Sequence, residues 1–416
     1  MLALVLAGIA IAAFLLLRGD DPPSYSPLNL DDDPWAYEPG REDDFEARAA
    51  AGHSHVIYVK SPGGIVATAR RVERWRPQVE DAADEAGVDA DLIEGMVLLE
   101  SAGRPDAMAS ADLESAAGLT QILAETATGL LGMRVDVAES ERLTRKLRRA
   151  RGPRQAARIR ARRASVDERF DPAKALAATG RYLKLANDEF GSEDLAVVSY
   201  HMGIGNLQQL LGAYGDDDAS YAQLYFDTSP DSHPRAYRLL AGLGDDSKTY
   251  YWRVLASREV MRLYRDDREE LERLAGLQSG AASGELVLHP PGDTEAFGSA
   301  DEVDEALRSG TLRPVADGGL RQEAFALLAY IRRGVRTISG VRTPLVVTRT
   351  TIPGDDGDVH ATGFAFDVRR RYASGAQAEA FQYMLDRLQA LNLIAWARDG
   401  DTIHVVASSE GRDLLD

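Results

Sequence analysis

Residues 88–132 read VDADLIEGMVLLESAGRPDAMASADLESAAGLTQILAETATGLLG, and this stretch decides the fold of the larger part of the chain. Its first apolar residues recur at helical spacing, which predicts a helix from Asp91 to about Ser101 with one apolar face. The helix ends on Glu100, after which glycine and proline break it. A carboxylate at the end of an apolar helix can lose part of its hydration, which raises its pKa and suits it to general acid catalysis.

A second motif, Gly118-Leu119-Thr120-Gln121-Ile122, follows a turn of small residues. Glycine permits a close backbone approach, and the Gln121 amide can hydrogen-bond a polar substrate. Each residue also has an ordinary interpretation when taken alone, since Glu100 could be a solvated helix-end charge and Gln121 a surface amide. The order in which further segments follow them decides between the two interpretations.

Three more segments follow in order, namely Phe170-Asp171-Pro172, Tyr200-His201-Met202-Gly203 and Tyr250-Tyr251-Trp252-Arg253-Val254-Leu255. Together with the first two, they resemble the lytic transglycosylase SLT domain, an all-α, goose-lysozyme-like fold that cleaves the glycan strands of peptidoglycan. The resemblance implies a single catalytic acid and no cofactor. It implies that the acid is Glu100 and that the sugar contacts are Ser101, Gln121, Tyr200 and His201.

Two departures from the family pattern bear on this site. His201 stands where the family usually has asparagine, which would alter the sugar contacts near the cleaved bond. The segment between Glu100 and Gln121 is a few residues longer than usual, which predicts a longer loop. Neither departure removes the acid.

Composition limits the classes of function. A chain of 416 residues predicts about two or three domains, and its 44% hydrophobic content is that of a folded protein. Because there is no cysteine, disulfides, thiolate nucleophiles and cysteine-bound zinc are excluded. The formal net charge of -18 argues against nucleic acid as a partner.

The N-terminus predicts a membrane attachment. Residues 2–17 are apolar and Arg18 ends the run, so residues 1–18 are interpreted as an uncleaved transmembrane anchor. A removed signal peptide and a buried core helix are the alternatives. Residues 19–55, rich in Asp, Glu, Pro and Gly, are predicted to be a flexible acidic tether. The resulting prediction is a single-pass membrane protein whose bulk lies outside the cytoplasm.

Residues 56–265 are assigned to the transglycosylase-like domain, with two short strands at 56–59 and 64–66 and a helix from about Arg71 to Ala86. A basic insert at 140–165 interrupts this domain, and Gly152-Pro153 divides it into two helices. It is interpreted either as a solvated hairpin or as a contact to anionic wall polymer, anionic lipid or the acidic tether. Residues 226–247 are predicted to be loop-rich, and 266–319 an interdomain linker.

Residues 320–416 carry a second chemistry. His360-x-x-Gly-x-Ala-x-Asp367 and, later, Asp401-x-x-His404 place two imidazoles and one carboxylate where they could form an open metal site. The pattern resembles the zinc D-alanyl-D-alanine carboxypeptidases and the related phage endopeptidases. The resemblance implies zinc on His360, Asp367 and His404, with Asp401 as general base. Arg349, which follows a predicted strand, would stabilise the oxyanion.

The sequence therefore predicts a multidomain protein with an N-terminal transmembrane helix, an all-α lysozyme-like domain and a small α+β zinc-peptidase-like domain. Its predicted partners are the membrane and both the glycan strand and the stem peptide of peptidoglycan. The predicted activity is lytic cleavage of the MurNAc–GlcNAc bond with a 1,6-anhydro product. The alternatives are a non-catalytic wall-binding scaffold and a hydrolytic muramidase with a degenerate C-terminal domain.

Overall fold

The computed structural model describes residues 33–279, 320–350, 360 and 363–415. Within these ranges, no helix is both long enough and apolar enough to cross a bilayer. The predicted anchor at 1–18, the first part of the predicted tether and the linker residues 280–319 lie outside the described residues.

Helices dominate the first described range, and residues 102–123 form its longest stretch without a helix. Their bounds are α1 Glu42–Gly52, α2 His55–Lys60, α3 Ile65–Glu73, α4 Arg76–Ala86, α5 Ala90–Ser101, α6 Ala124–Gly129, α7 Val137–Arg148, α8 Pro153–Val166, α9 Pro172–Phe190, α10 Glu193–Met202, α11 Ile204–Tyr214, α12 Tyr221–Asp227, α13 Pro234–Gly242, α14 Tyr250–Asp266 and α15 Arg268–Ser279. The prediction of a mostly helical first domain is confirmed.

The predicted helix that ends on the catalytic candidate is α5. Asp89 caps its start by accepting a hydrogen bond from the Asp91 amide, and Ala102 ends it in the left-handed conformation. Helix α5 packs against α14 so closely that a Cβ on Gly95 would lie 2.8 Å from the Val254 carbonyl oxygen. This contact holds the middle of α5 against the first turns of α14.

Three local predictions are wrong. The two predicted strands are the helices α2 and α3, and the buried residues of α3 fall at the helical spacing Ile65, Thr68, Ala69, Val72. The tether prediction fails for Glu42–Gly52, which form α1 with Phe45 and Ala49 buried. The linker prediction fails for Arg268–Ser279, which form α15. In each case tertiary packing outweighs the polar or short local pattern.

The C-terminal unit is α+β. Its helices are α16 Gln322–Ser339 and α17 Gly375–Ala390, and its strands are β1 Val347–Arg349, β2 Ala365–Arg369, β3 Ile394–Asp399 and β4 Thr402–Ala407. The strands form an antiparallel sheet in the order β1-β2-β4-β3. Asp367 on β2 lies directly opposite His404 on β4, so the register brings two of the predicted metal ligands together.

The two units pack directly against each other. On α17, the Arg387 guanidinium donates hydrogen bonds to the carbonyl oxygens of Phe226 (2.7 Å) and Trp35 (2.8 Å). Trp35 also packs edge-on against Tyr330 of α16, with ring centroids 5.5 Å apart. The N-terminal residues that were expected to be tether therefore form part of the contact between the units.

Candidate functional site

Glu100 lies in the last turn of α5, where its carboxylate meets the first residue of α14. The Tyr250 hydroxyl donates a hydrogen bond of 2.7 Å to Glu100 Oε1. The His201 ring stacks on the Tyr250 ring at 4.9 Å, and its Nδ1 lies 2.7 Å from the Ser247 hydroxyl. The contact between α5 and α14 thus positions the carboxylate, and α10 supports its tyrosine partner.

The surroundings of Glu100 favour its protonated form. Burial raises the pKa of Glu100 from 4.5 to about 7, against the opposing effects of the Tyr250 hydrogen bond and the Arg253 charge. Asp246 adds a smaller effect in the same direction as burial. A carboxyl group that keeps its proton near neutral pH can donate it to a leaving group and take one back afterwards.

Tyr200 lies beside this carboxylate, and its hydroxyl contacts two other segments of the chain, one at Thr120 and one at Thr179. Its hydroxyl donates to the Thr120 carbonyl oxygen at 2.8 Å and lies 3.3 Å from the Thr179 hydroxyl. Burial raises the pKa of Tyr200, and the Glu100 charge adds to that effect. Tyr200 is therefore a neutral group that holds the Thr120 turn next to the candidate acid.

Gln121 occupies a strained turn. Its φ is +51°, in the left-handed region, and its side-chain amide donates to the Gly118 carbonyl oxygen at 2.8 Å. Gly118 has φ +87°, and a Cβ there would lie 1.9 Å from the Arg169 carbonyl oxygen. Only glycine fits at that position, and the Gln121 oxygen keeps its acceptor capacity for a ligand.

Ser101 faces the protein interior. It is 1% exposed, and its hydroxyl donates to the Val97 carbonyl oxygen at 3.2 Å, within the helix. The structure therefore brings Glu100, Tyr200 and His201 together around Tyr250, whereas the Ser101 hydroxyl supports the end of α5.

A buried ion pair holds the turn that contains Gln121, and the sequence did not predict this ion pair. Arg169 and Asp167 are both 0% exposed and form two side-chain hydrogen bonds of 2.9 Å. Arg169 also donates to the carbonyl oxygens of Leu113, Ser115 and Ile122. The sequence did not indicate this arrangement, because the carbonyl oxygens that Arg169 contacts lie about 50 residues earlier in the chain.

Tyr250→Phe tests the hydrogen bond to the candidate acid. Because this bond lowers the pKa of Glu100, its loss should raise that pKa above about 7 and move the alkaline limb of the pH–rate profile of the predicted glycan cleavage to higher pH. The rate at the optimum should fall roughly tenfold, since the carboxylate loses a positioning partner.

Tyr251→Phe is the matched control, because the Tyr251 hydroxyl donates to a different carboxylate, Glu46, at 3.1 Å. It should leave the profile in place. A Tyr250→Phe profile that coincides with that of the wild type would show that this hydrogen bond does not act on the catalytic proton.

A second candidate site lies on the C-terminal sheet. His360, Asp367 and His404 each offer one ligand atom, and these atoms lie within 4.8 Å of one another. Asp367 Oδ1 is 2.8 Å from His404 Nδ1 and 3.3 Å from His360 Nε2. The other ring nitrogen of His360 contacts the Thr350 carbonyl oxygen, which fixes the direction of the ring.

This donor set fits a zinc ion. Ligand atoms of a tetrahedral zinc site lie ~3.3 Å apart, given bonds of ~2.0–2.1 Å. The 3.3 Å between Asp367 Oδ1 and His360 Nε2 matches that separation, whereas the 2.8 Å to His404 Nδ1 is a hydrogen-bond distance. Arg349 Nη1 lies 4.0 Å from Asp367 Oδ2, beside the cluster.

Asp401 is exposed in the turn between β3 and β4, three residues before His404. Its backbone carbonyl oxygen accepts a hydrogen bond from the Arg370 amide. Its role as general base stays a prediction.

Part of the sequence matches a known protein family. Residues 149–222 match the family described as Transglycosylase SLT domain. This segment runs from the start of α8 into α12 and contains Tyr200 and His201, whereas Glu100, Gln121 and Tyr250 lie outside it. No curated protein matches the chain. The chain therefore contains an SLT transglycosylase domain at residues 149–222.

Proposed function

We propose that the protein is a peptidoglycan lytic transglycosylase in which Glu100 is the only acid–base group. The observation that carries the proposal is the half-buried Glu100 carboxyl, with its pKa raised to about 7, in contact with Tyr250 and beside Tyr200 of the SLT domain. The domain match supports the substrate class, and the geometry supports the identity of the acid.

In the proposed reaction, protonated Glu100 gives its proton to the glycosidic oxygen between MurNAc and GlcNAc, and the bond from that oxygen to the anomeric carbon breaks. The 6-hydroxyl of the same muramic acid then attacks the anomeric carbon and gives its proton to the Glu100 carboxylate. The product is a 1,6-anhydro ring, and Glu100 regains its proton. One carboxyl group suffices because the nucleophile belongs to the substrate.

A hydrolytic muramidase is the second candidate for this site. Asp246 is close enough to Glu100 to affect its pKa, and hydrolysis with inversion would need a second carboxylate to activate water. Asp246 is instead paired with Arg253 and lies 3.9 Å from His201 Nε2, which favours the lytic reaction.

Mass spectrometry of muropeptides tests the proposal. Purified sacculi are incubated with the full-length protein, and the muramic acid ends of the products are identified. Anhydro ends are expected, and Asp246→Asn should still form them. Reducing ends would identify a muramidase, and unchanged sacculi would indicate a non-catalytic wall-binding scaffold.

The cellular placement follows from the substrate. Peptidoglycan lies outside the cytoplasm, so we propose that the described part of the chain lies there too and that residues 1–18 anchor it to the membrane.

We further propose that the C-terminal unit binds zinc and acts on, or holds, the stem peptide. The support is the cluster of His360, Asp367 and His404. A zinc ion there would polarise a peptide carbonyl and activate water. The chain's own contribution would be to hold the ion with these three side chains and to place the Arg349 charge beside it.

Metal binding tests the zinc proposal without any activity assay. His404→Ala should weaken zinc binding to the full-length protein by roughly 100-fold or more, because one of three protein ligands is lost. Asp401→Asn is the control and should retain one zinc per chain, since Asp401 lies in the turn. Titration calorimetry and metal analysis measure both. Equal zinc binding by the wild type and His404→Ala would contradict the assignment. Peptide products in the sacculus digests described above would show whether the stem peptide is cut.

A further inference from the structure

The helices α7 and α8, with the turn at 149–152, form a hairpin that we name the basic hairpin. Arg163 is the one fully buried residue of helix α8, and most of the other side chains of this helix are exposed. The proposed glycan reaction uses none of the hairpin's exposed residues. Its surface therefore calls for a separate explanation.

The basic hairpin carries a concentration of cations, and most of them form no ion pair, although Lys146 and Arg162 lie near enough to Glu139 to lower its pKa. Arg160 and Arg163 pair with Asp106, and two arginines of α7 pair with glutamates of the same helix. Seven further cations are exposed and have no carboxylate within ion-pair distance among the described residues. They are Lys146, Arg148, Arg149, Arg151, Arg154, Arg158 and Arg162. In a protein with a formal net charge of -18, this local excess of positive charge is a distinct surface.

The cations are arranged in rows. Arg154, Arg158 and Arg162 follow one another at four-residue intervals along α8, which places them on one face at steps of ~6 Å. Lys146 and Arg149, together with Arg158 and Arg162 of this row, line an open groove of about 510 Å³ between the helices. Leu143, Gln155 and Ile159 complete its lining, and Arg154 continues the row beyond it.

The chemistry of the rows indicates the kind of ligand. Guanidinium groups present planar pairs of donors that match phosphate oxygens, and they release condensed counterions when they bind a polyanion. A regular row of them fits a linear polymer better than a single anion.

A lipid surface fits less well. The large hydrophobic side chains that are exposed in the described residues are Val59, Leu123, Leu130, Leu185, Leu239 and Val346. All of them lie outside the basic hairpin, so the hairpin offers no large apolar side chain to insert among acyl chains.

We propose that the basic hairpin binds a linear phosphodiester polymer of the cell wall. Two ion pairs to Asp106 join the hairpin to the loop that follows Ser101, and the Arg163 guanidinium also lies 3.6 Å from the centre of the Phe170 ring. These contacts fix the polymer-binding surface relative to α5. A polymer attached to the wall would thereby hold the protein next to glycan strands.

Binding of poly(glycerol phosphate) to the full-length protein tests the proposal without glycan cleavage, so its outcome is independent of the proposed reaction. The test variant is Arg154→Gln/Arg158→Gln/Arg162→Gln. The control, Arg235→Gln/Arg238→Gln/Arg398→Gln, removes three exposed arginines elsewhere and keeps the net charge equal. Circular dichroism and thermal unfolding establish that both variants fold, and vesicles containing phosphatidylglycerol are the lipid probe.

The wild type and the control should bind the polymer alike, and the test variant should bind it roughly tenfold more weakly or worse. The slope of log Kd against log salt concentration should fall by about 2 in the test variant, since each lost cation accounts for about 0.7 on a flexible polyanion. Equal binding by both variants, no binding of the polymer by wild type, or binding to the vesicles alone would overturn the proposal.

Discussion

Glu100→Gln is expected to lower the rate of glycan cleavage by roughly 10³-fold, because the amide can neither give nor take the catalytic proton. The same change should stabilise the folded protein at pH 8. The pKa of Glu100 is about 7 in the folded protein and near 4.5 in the unfolded chain, so the folded state holds this proton more tightly. As the pH rises from about 4.5 to 7, the wild type loses stability that the glutamine variant keeps.

The expected gain at pH 8 is roughly 2 kcal/mol, allowing for the partial exposure of the Glu100 side chain. It should vanish near pH 4, where both side chains are neutral. Chemical denaturation at the two pH values measures it, and sacculus digestion measures the rate.

Glu46→Gln is the matched control for this prediction. Burial also raises the pKa of Glu46 to about 7, and Glu46 accepts its hydrogen bond from Tyr251, the neighbour of Tyr250. This variant should therefore gain stability at pH 8 and keep its activity. Equal rates in Glu100→Gln and wild type would refute Glu100 as the acid, whereas equal loss of rate in both variants would point to a general structural effect.

Arg169→Met is expected to destabilise the protein by roughly 3–5 kcal/mol. It removes one partner of a fully buried ion pair and leaves the Asp167 charge without its partner. It also removes the donor to three carbonyl oxygens between Leu113 and Ile122. Because these carbonyls belong to the turn that contains Gly118 and Gln121, glycan cleavage should fall as well.

Denaturant unfolding measures this loss, with Arg238→Met as the control for an exposed arginine and Arg169→Lys as a milder change if the methionine variant does not fold. The control should change the free energy of unfolding by less than about 0.5 kcal/mol. A loss below about 1 kcal/mol in both Arg169 variants would show that the ion pair does not hold this turn.

Local sequence patterns predicted the elements that carry the candidate chemistry. Helix α5 has a capping aspartate, a continuous apolar face and a glycine after its end, and these signals agree with one another. Gly152-Pro153 correctly marked the division of the basic hairpin. On the C-terminal sheet, the spacing of His360, Asp367 and His404 was sufficient to predict that they come together.

Contacts between distant residues account for what the sequence did not predict. Tyr250 was recognised only as part of a helix, because the carboxylate that it contacts lies 150 residues away. Residues 42–52 have the composition of a polar tether, but they form a helix whose Phe45 and Ala49 are buried. The general-base interpretation of Asp401 rests on its spacing from His404 in the sequence and stays a prediction, with Asp401 exposed in the turn before β4. Burial and turn geometry of this kind depend on the assembled fold.

Titration of the Glu100 carboxyl by carbon-13 NMR measures whether this group keeps its proton near neutral pH. Glutamate side chains are labelled in the full-length protein, and Glu100→Gln identifies the signal. We expect that the signal missing from this variant titrates near pH 7. A midpoint near 4.5 would contradict it, because Glu100 would then be an ordinary solvated charge at the end of a helix.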